Sequence, residues 1–350
     1  MNKVLQKSIL LALLFAACSS GDRYEEIRLT ELDAWGGMKA QEQAKLGYPS
    51  DFIISSKGEV VVTDVRLNQV LYFTQTGQLI RRAGKPGSGP LEFAIPDDIA
   101  QVGNELAIWD YQNNRLQFLT LDGEFIRFSV PEPRIDFNSK TLDSKGQLYY
   151  ATNGFRADSL IYVYSPEGEF VKTFGQIAGS KFSDYEITHL RESAKKRHIP
   201  DAVKNAVLIC ATTNNDIFVV HTALPRLAKY RQDGKKIFEI ELSDQRFAKE
   251  TEAFFAVNDT LPDFSFKPLR FWADIVADSK GGVLLLHNNP KQLIVSHFNE
   301  DGKLVKKYLG PAINISKIYL HNEELWAVGR QDLTFYRFST QPQENIAANR

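Results

Sequence analysis

The sequence has 350 residues, more than one compact core usually holds, so it encodes either two domains or a repeat architecture. Lysine plus arginine (42) nearly balances aspartate plus glutamate (43), which excludes the strongly basic surface of a nucleic-acid-binding protein. Hydrophobic residues at 43% and charged residues at 24% exclude a disordered chain, and the aromatic content of 11% favours strands.

The N-terminal segment has the pattern of an export signal. Two lysines precede the apolar run at residues 9–17, which is too short to span a bilayer as a stable helix. The run ends in Phe15, two alanines and Cys18. Small residues just before a cysteine resemble the lipobox of bacterial lipoproteins, with Phe15 in place of the usual leucine. An ordinary cleaved signal peptide with an incidental cysteine is the alternative.

The lipobox resemblance implies how the chain is processed. Residues 1–17 would be removed as a signal peptide, Cys18 would be acylated, and residues 18–23 would form a polar tether. Ser19 after the cysteine implies an outer-membrane lipoprotein, facing either the periplasm or the outside, whose acyl chains are its only contact with the membrane. With Cys18 modified, Cys210 has no partner, and we expect a buried, inert thiol there.

Turns of one kind recur along the rest of the chain. A small polar turn ending in glycine separates two apolar runs at residues 75–77, 121–123, 166–168, 232–234 and 300–302. A second series of turns lies upstream in each unit, at residues 57–58, 102–104, 145–146, 214–216, 281–282 and 321–322. Such turns between strand-like runs signal hairpins. Each unit therefore reads as four strands, with a period typical of propeller blades.

The spacing of the glycine turns widens in the second half of the chain. The surplus residues fall at 176–201 and 243–268, both between blades. The first surplus contains a helical pattern at residues 187–197, and we expect both to be loops grown on one face of the disc.

The sixth unit supplies only three strands before the chain becomes polar at Thr340. An open sheet there would expose an unpaired edge. Residues 25–32 alternate apolar and polar, and we predict that they pair as the outer strand of the last blade. The predicted fold is all-β, a six-bladed β-propeller closed by an N-terminal strand in the last blade. It spans residues 24–340, and residues 341–350 form a C-terminal tail.

Two early units carry a more specific motif. Residues 64–70 (DVRLNQV) and 110–116 (DYQNNRL) resemble the D-x-x-N-x-R-I segment of NHL repeats. Residues 84–93 (GKPGSGPLEF) resemble the glycine-rich blade junction of six-bladed propeller lipoproteins of Bacteroidetes. The resemblance implies a TolB-like six-bladed propeller and no particular activity. We expect the aspartate and asparagine of each motif to bridge backbone groups in tight loops.

The loops between second and third strands should line one face of the disc, together with the links between blades. Arginines and aromatics around a concave mouth suit an anionic or sugar-like small molecule, or a protein partner, although a solvated rim carries such residues as well. The candidate ligand-binding residues are Arg66, Tyr111, Arg156, Arg191, Arg270, Trp272, His287, Lys291 and Arg330.

Three aspartates occupy matching places on the predicted inner strands, namely Asp51, Asp98 and Asp274. From there they should approach the central channel. They either hold calcium or another divalent cation through carboxylate oxygens or accept hydrogen bonds from the neighbouring blade's backbone.

Two functions follow from these patterns. The first is a module that binds a protein, a small molecule or a glycan at the cell envelope without a cofactor. The alternative is a hydrolase or lyase with a metal in the central channel, as in calcium- and zinc-dependent six-bladed enzymes. His221 and His287 share a second-strand position, but no third histidine joins them, which disfavours zinc. No serine has a G-x-S-x-G context, so no catalytic residue is assigned.

Overall fold

The computed structural model describes residues 24–37, 46–134, 137–155, 158–179 and 186–342. Within these ranges, six sheets follow one another, and each is built mainly from four antiparallel strands. The proposed signal peptide, Cys18 and the last eight residues lie outside the described residues.

Two strands precede the first blade, β1 (Glu25–Arg28) and β2 (Thr30–Gly36). Blade one contains β3 (Pro49–Ile54), β4 (Val60–Asp64), β5 (Gln69–Phe73) and β6 (Leu79–Ala83). A short parallel ribbon of β7 (Lys85–Pro86) and β8 (Glu92–Phe93) follows it. Blade two contains β9 (Pro96–Val102), β10 (Glu105–Asp110), β11 (Arg115–Thr120) and β12 (Phe125–Ser129). Blade three contains β13 (Phe137–Leu142), β14 (Leu148–Thr152), β15 (Ile161–Tyr164) and β16 (Phe170–Phe174).

Three helices flank blade four in the described sequence. They are α1 (Ile187–Lys195) and α2 (Asp201–Asn205) before the blade, and α3 (Gln245–Thr260) after it. Blade four contains β17 (Val207–Ala211), β18 (Ile217–His221), β19 (Arg226–Tyr230) and β20 (Lys236–Glu241). Blade five contains β21 (Trp272–Ala277), β22 (Val283–His287), β23 (Ile294–Phe298) and β24 (Leu304–Leu309). Blade six contains β25 (Ile315–His321), β26 (Glu324–Gly329) and β27 (Thr334–Ser339).

The first strands of the blades form the inner ring. In order, β3 contacts β9, β9 contacts β13, β13 contacts β17, β17 contacts β21, β21 contacts β25, and β25 returns to β3. Six apolar clusters fill the spaces between successive blades. Each blade therefore buries both faces against its neighbours, as stacked repeats do. The predicted all-β, six-bladed propeller is confirmed.

The N-terminal segment divides between two blades. Strand β2 pairs antiparallel with β27 and supplies the fourth strand of blade six. Strand β1 instead pairs parallel with β24 and adds a fifth strand to blade five. Trp35 of β2 stacks on Phe335 with ring centroids 4.5 Å apart. The strand paired with blade six is therefore Thr30–Gly36 rather than the whole of residues 25–32, because β1 leaves that sheet for the edge of the one before it.

The repeated turns occur where the sequence places them. Each of the five predicted glycine turns has its glycine at positive φ, as in Gly77 (81°) and Gly123 (92°). In the upstream series, asparagine takes the same left-handed conformation in blades four and six, at Asn215 and Asn322. A left-handed residue at these positions lets each hairpin reverse in a tight turn.

The motif aspartates pin the links between blades. Asp64 is fully buried and accepts hydrogen bonds from the backbone N–H groups of Gly47 (2.6 Å) and Tyr48 (3.0 Å). Asp110 accepts one from the N–H of Ala94 at 2.7 Å. Asn68 Oδ1 accepts one from the N–H of Ile95 at 2.8 Å. The expected bridges to backbone groups are therefore present at these three residues.

Candidate functional site

One register position recurs on the six inner strands, and it lines the central channel in every blade except blade four, where Leu208 packs against the apolar core between blades four and five. At this position, the residue pairs with the next-to-last residue of its blade's second strand. In blade order the six residues are Asp51, Asp98, Ser139, Leu208, Asp274 and Lys317. The three predicted aspartates do converge there. Lys317 was missed, although the same offset from the end of the second strand identifies it.

The ammonium of Lys317 lies among the three carboxylates. Its Nζ is 3.3 Å from Asp98 Oδ1, 3.5 Å from Asp274 Oδ1 and 3.8 Å from Asp51 Oδ1. On the inner strand of blade three, Lys140 Nζ contacts Asp98 Oδ2 at 2.9 Å and Asp97 Oδ2 at 2.7 Å. Lys317 thus bridges carboxylates of three inner strands, whereas Lys140 contacts two carboxylates of the single strand β9. Both ammonium groups occupy places where a bound cation would otherwise sit.

Two of the carboxylates also tie neighbouring blades together. Asp51 Oδ2 in blade one accepts a hydrogen bond from the N–H of Ile99 in blade two at 3.1 Å. Asp274 Oδ2 in blade five accepts one from the N–H of Ile318 in blade six at 2.9 Å. Of the two roles expected for these aspartates, bonding to the next blade's backbone is the one whose contacts are present.

Ionisation in the channel is uneven. Burial raises the pKa of Asp51 to about 7, against the attraction of Lys317. Burial likewise raises the pKa of Asp97 to about 6. For Asp98, burial is outweighed by Lys140 and Lys317, which lower its pKa. Since four aspartates face two lysines, a share of the protons stays on Asp51 and Asp97 near neutral pH.

The channel encloses a cavity of about 250 Å³. Cys210 lines it, is almost fully buried, and has its pKa raised by burial, which agrees with the expected inert thiol. No group of three or more histidine, cysteine, aspartate or glutamate side chains among the described residues is arranged to hold a metal ion.

A larger cavity lies between α3 and blade five. It measures about 760 Å³ and is hereafter called the α3 groove. One face of the helix, the segment after it, the loop following β22 and two outer strands of blade five contribute its walls. The lining residues are Asp244, Arg246, Lys249, Glu250, Ala253, Phe254, Val257, Lys267, Pro268, Leu269, Arg270, His287, Asn288, Asn289, Pro290, Lys291, Ile294 and Lys307.

Local sequence explains why a helix forms there. Asp244 is its N-cap and accepts a hydrogen bond from the N–H of Arg246 at 2.9 Å. Phe247, Phe254 and Phe255 are buried on the inner side of the helix. The second insertion is therefore helical, and the expectation of a loop at residues 243–268 was wrong. The aspartate cap followed by buried phenylalanines was the signal that could have revealed it.

Arg246 is the most enclosed cation of the α3 groove. Its guanidinium lies 4.3 Å from the ring centre of Trp272 and forms ion pairs with Asp244 (3.3 Å) and Glu250 (3.3 Å). Lys307 also approaches Asp244, at 3.7 Å. The two acids of the groove are thus matched by two cations within it.

Three of the predicted ligand-binding residues line the α3 groove, namely Arg270, His287 and Lys291. Arg270 and Lys291 are exposed, whereas His287 is buried and its Nε2 lies 2.8 Å from Ser296 Oγ. Burial, followed by Arg246 and Lys307, lowers the pKa of His287 to about 2, so its ring is neutral. Trp272 is buried behind the groove.

The remaining predicted residues do not join this cluster. Arg66, Tyr111 and Arg330 are exposed on other loops. Arg191 is buried: its guanidinium donates to the carbonyls of Pro262 and Ser265 and thereby ties α1 to the segment after α3. Arg156 lies outside the described residues. No helix in the described ranges is long and apolar enough to cross a membrane.

Comparisons with known proteins identify the architecture. The family model described as a 6-bladed beta-propeller, DUF5128, matches residues 38–271. No curated protein matches the sequence significantly.

Several solved structures resemble the chain in fold. A member of the DUF4221 family from Bacteroides vulgatus is 12% identical with a TM-score of 0.56, over 91% of this chain and 98% of that one. A protein described as exported from Bacteroides fragilis is 9% identical with a TM-score of 0.53, over 90% and 99%. A catalytically inactive virginiamycin B lyase from Staphylococcus aureus with quinupristin is 11% identical with a TM-score of 0.50, over 89% and 98%. Identities this low show the fold alone.

Proposed function

Since the chain belongs to the DUF5128 family of six-bladed β-propellers, we propose that it is a binding module whose ligand occupies the α3 groove. Propellers host many unrelated functions, so the function has to be argued from the site. The observation that carries the proposal is the groove, whose volume of about 760 Å³ lies in the range of small-molecule sites. The rigid blades hold one wall and the inserted helix supplies the other.

We propose further that the module is an outer-membrane lipoprotein. The support is the lipobox-like sequence ending at Cys18 and the small polar tether after it. Acyl chains on Cys18 would hold the propeller at the membrane surface and leave the groove free to bind its ligand.

The metal-dependent alternative draws on the convergence of Asp51, Asp98 and Asp274 in the channel. A divalent cation at the centre of these carboxylates would have to displace the Lys317 ammonium, which lies within 3.8 Å of all three. The α3 groove, where such competition does not arise, therefore supports a binding function better than the channel supports catalysis.

Two alanines of α3 provide a matched test. Ala253 and Ala248 are both exposed, but only Ala253 lines the groove. Ala253→Trp should fill the groove, whereas Ala248→Trp adds the same side chain outside it. We expect saturable binding of anilinonaphthalene sulfonate or the uncharged phenylnaphthylamine by the purified protein and by Ala248→Trp. Binding should weaken by about tenfold in Ala253→Trp. Absence of saturable binding of both probes, or equal binding by the two variants, would contradict the proposal.

A further inference from the structure

Both walls of the α3 groove carry apolar side chains. Ala253, Phe254 and Val257 follow one another along the helix at positions that share a face. Pro290 and Ile294 stand on the blade-five side. A ligand that fills this space gains by removing apolar surface from water, so it needs an apolar body.

The lip of the groove carries a surplus of positive charge. Lys249, Lys267, Arg270 and Lys291 all line it and are exposed, and none forms an ion pair with another described residue. Because Asp244 and Glu250 are already matched by Arg246 and Lys307, these four cations are not neutralised within the groove. Converging uncompensated cations lower the potential energy of an anion and repel a cation.

Two further observations agree with this charge distribution. The pKa of Arg270 is lowered, first by desolvation of its guanidinium and then by the positive charge of Arg330, which lies outside the groove lining. Arg246 Nη2 is buried and has no hydrogen-bond acceptor among the residues that the structure describes. An unmade hydrogen bond from a buried guanidinium is costly, so this nitrogen adds an unsatisfied donor to the cations beside the groove.

We infer that the α3 groove binds a small organic anion, a carboxylate or sulfonate with an apolar body, the body lying against Phe254 and Ile294 and the charged group lying among Lys249, Lys267, Arg270 and Lys291. The inference rests on the proposed function, since it names the ligand class of the same groove. It disfavours cationic ligands because of charge, and uncharged glycans because they would leave both the apolar walls and the cations without partners.

A pair of probes separates the inference from the proposed function. Anilinonaphthalene sulfonate and phenylnaphthylamine share the same aromatic body, but only the first carries a negative charge. We expect the sulfonate to bind the purified protein about tenfold more tightly than the neutral amine, and this preference to shrink as sodium chloride is added. Ala253→Trp should weaken both. Equal affinity for the two probes, with both still sensitive to Ala253→Trp, would overturn the inference and leave the proposed function standing.

Charge-reversal variants of the groove lysines provide a second test of the inference. Lys249→Glu combined with Lys291→Glu reverses two charges on opposite walls, and we expect about tenfold or greater loss of sulfonate affinity with little change for the neutral amine. The control combines Lys145→Glu with Lys235→Glu, two exposed turn residues outside the groove, and produces the same change in net charge. If the control lowers sulfonate affinity as much as the groove variant does, the attraction is a property of net charge and the inference fails.

Discussion

Lys317 donates a hydrogen bond to Asp98 at 3.3 Å and so joins two inner strands that lie 219 residues apart in the chain. The bond crosses from blade six to blade two, past blade one. Since Asp51 and Asp274 also face the same ammonium, one side chain compensates charges from three blades. The axis of the propeller is therefore held by an ionic cluster as well as by the apolar packing between blades.

Lys317→Met should destabilise the protein by about 3 kcal/mol, because it leaves buried carboxylates without their cation. The deficit should shrink in mildly acidic solution, where the carboxylates can take up protons instead. Urea unfolding at neutral and mildly acidic pH measures both effects. Lys306→Met is the control, because its partner Glu25 is 3.9 Å away and exposed, and its cost should stay below about 1 kcal/mol. Similar costs for the two variants would argue against a structural role for the channel cluster.

The raised pKa of Asp51 predicts a pH dependence of stability. A folded-state pKa of about 7 lies above the unfolded value, so the folded protein binds the extra proton and stability falls as pH rises. The loss should extend from about pH 4 to about pH 7. Asp51→Asn keeps a side-chain oxygen to accept from Ile99, and it should flatten this slope by removing a contribution of a few kcal/mol. An unchanged slope in urea titrations across this range would contradict the assignment.

The stacking of Trp35 on Phe335 predicts how much the closure of the ring contributes to the free energy of unfolding. Trp35→Ala should cost about 2–4 kcal/mol, because Trp35 also contacts Phe73 of blade one at 5.1 Å and so joins both ends of the ring. Leu32→Ala lies on the same strand, but the side chain is 37% exposed, and its cost should be under about 1 kcal/mol. Equal midpoints in urea for the two variants would show that the ring does not depend on this contact.

Local chemistry made much of the fold predictable. A turn that ends in glycine, such as the one at Gly77, predicts a hairpin because only a residue that tolerates positive φ fits at that position. Asp64 ends β4, and its role in holding the adjacent tight loop could be predicted because its carboxylate accepts hydrogen bonds from backbone N–H groups a few residues away or in the preceding link. Such signals lie within one blade or one link, so they can be read without knowing which blades meet.

The features that were missed depend on distant contacts. Strand β1 pairs with β24, where Glu25 lies opposite Lys306, 281 positions later, and its own alternation does not distinguish the edge of blade five from that of blade six. The offset from the end of the second strand places Lys317 on the inner ring, but its ion pairs with Asp51 and Asp98 appear only when blade six closes against blade one. The prediction of Arg191 as a ligand-binding residue was wrong because residue type alone does not show burial. An arginine is suited to binding an anion, but packing against the segment after α3 buries this one.

The proposed anchor can be tested at Cys18. Cys18→Ala should abolish incorporation of radioactive palmitate and release the protein from the membrane pellet, because the acyl chains are the proposed membrane contact. Cys210→Ala is the matched control, since that thiol is buried in the channel wall and cannot be acylated in the folded protein. Labelling that persists without Cys18, or disappears without Cys210, would contradict the lipoprotein assignment.

Calcium discriminates between the binding module and the metal-dependent alternative. Lys317→Ala removes the ammonium while leaving Asp51, Asp98 and Asp274, whose oxygens are suitable calcium ligands. Calcium at about 10 mM should then raise the unfolding free energy of the variant by about 1 kcal/mol, since a ligand that binds only the folded state stabilises it. Wild-type protein, in which Lys317 already occupies the centre of the cluster, should show no such rise. Stabilisation of the wild type by calcium, reversed by chelator, would instead favour a metal site in the channel and the hydrolase or lyase function built on it.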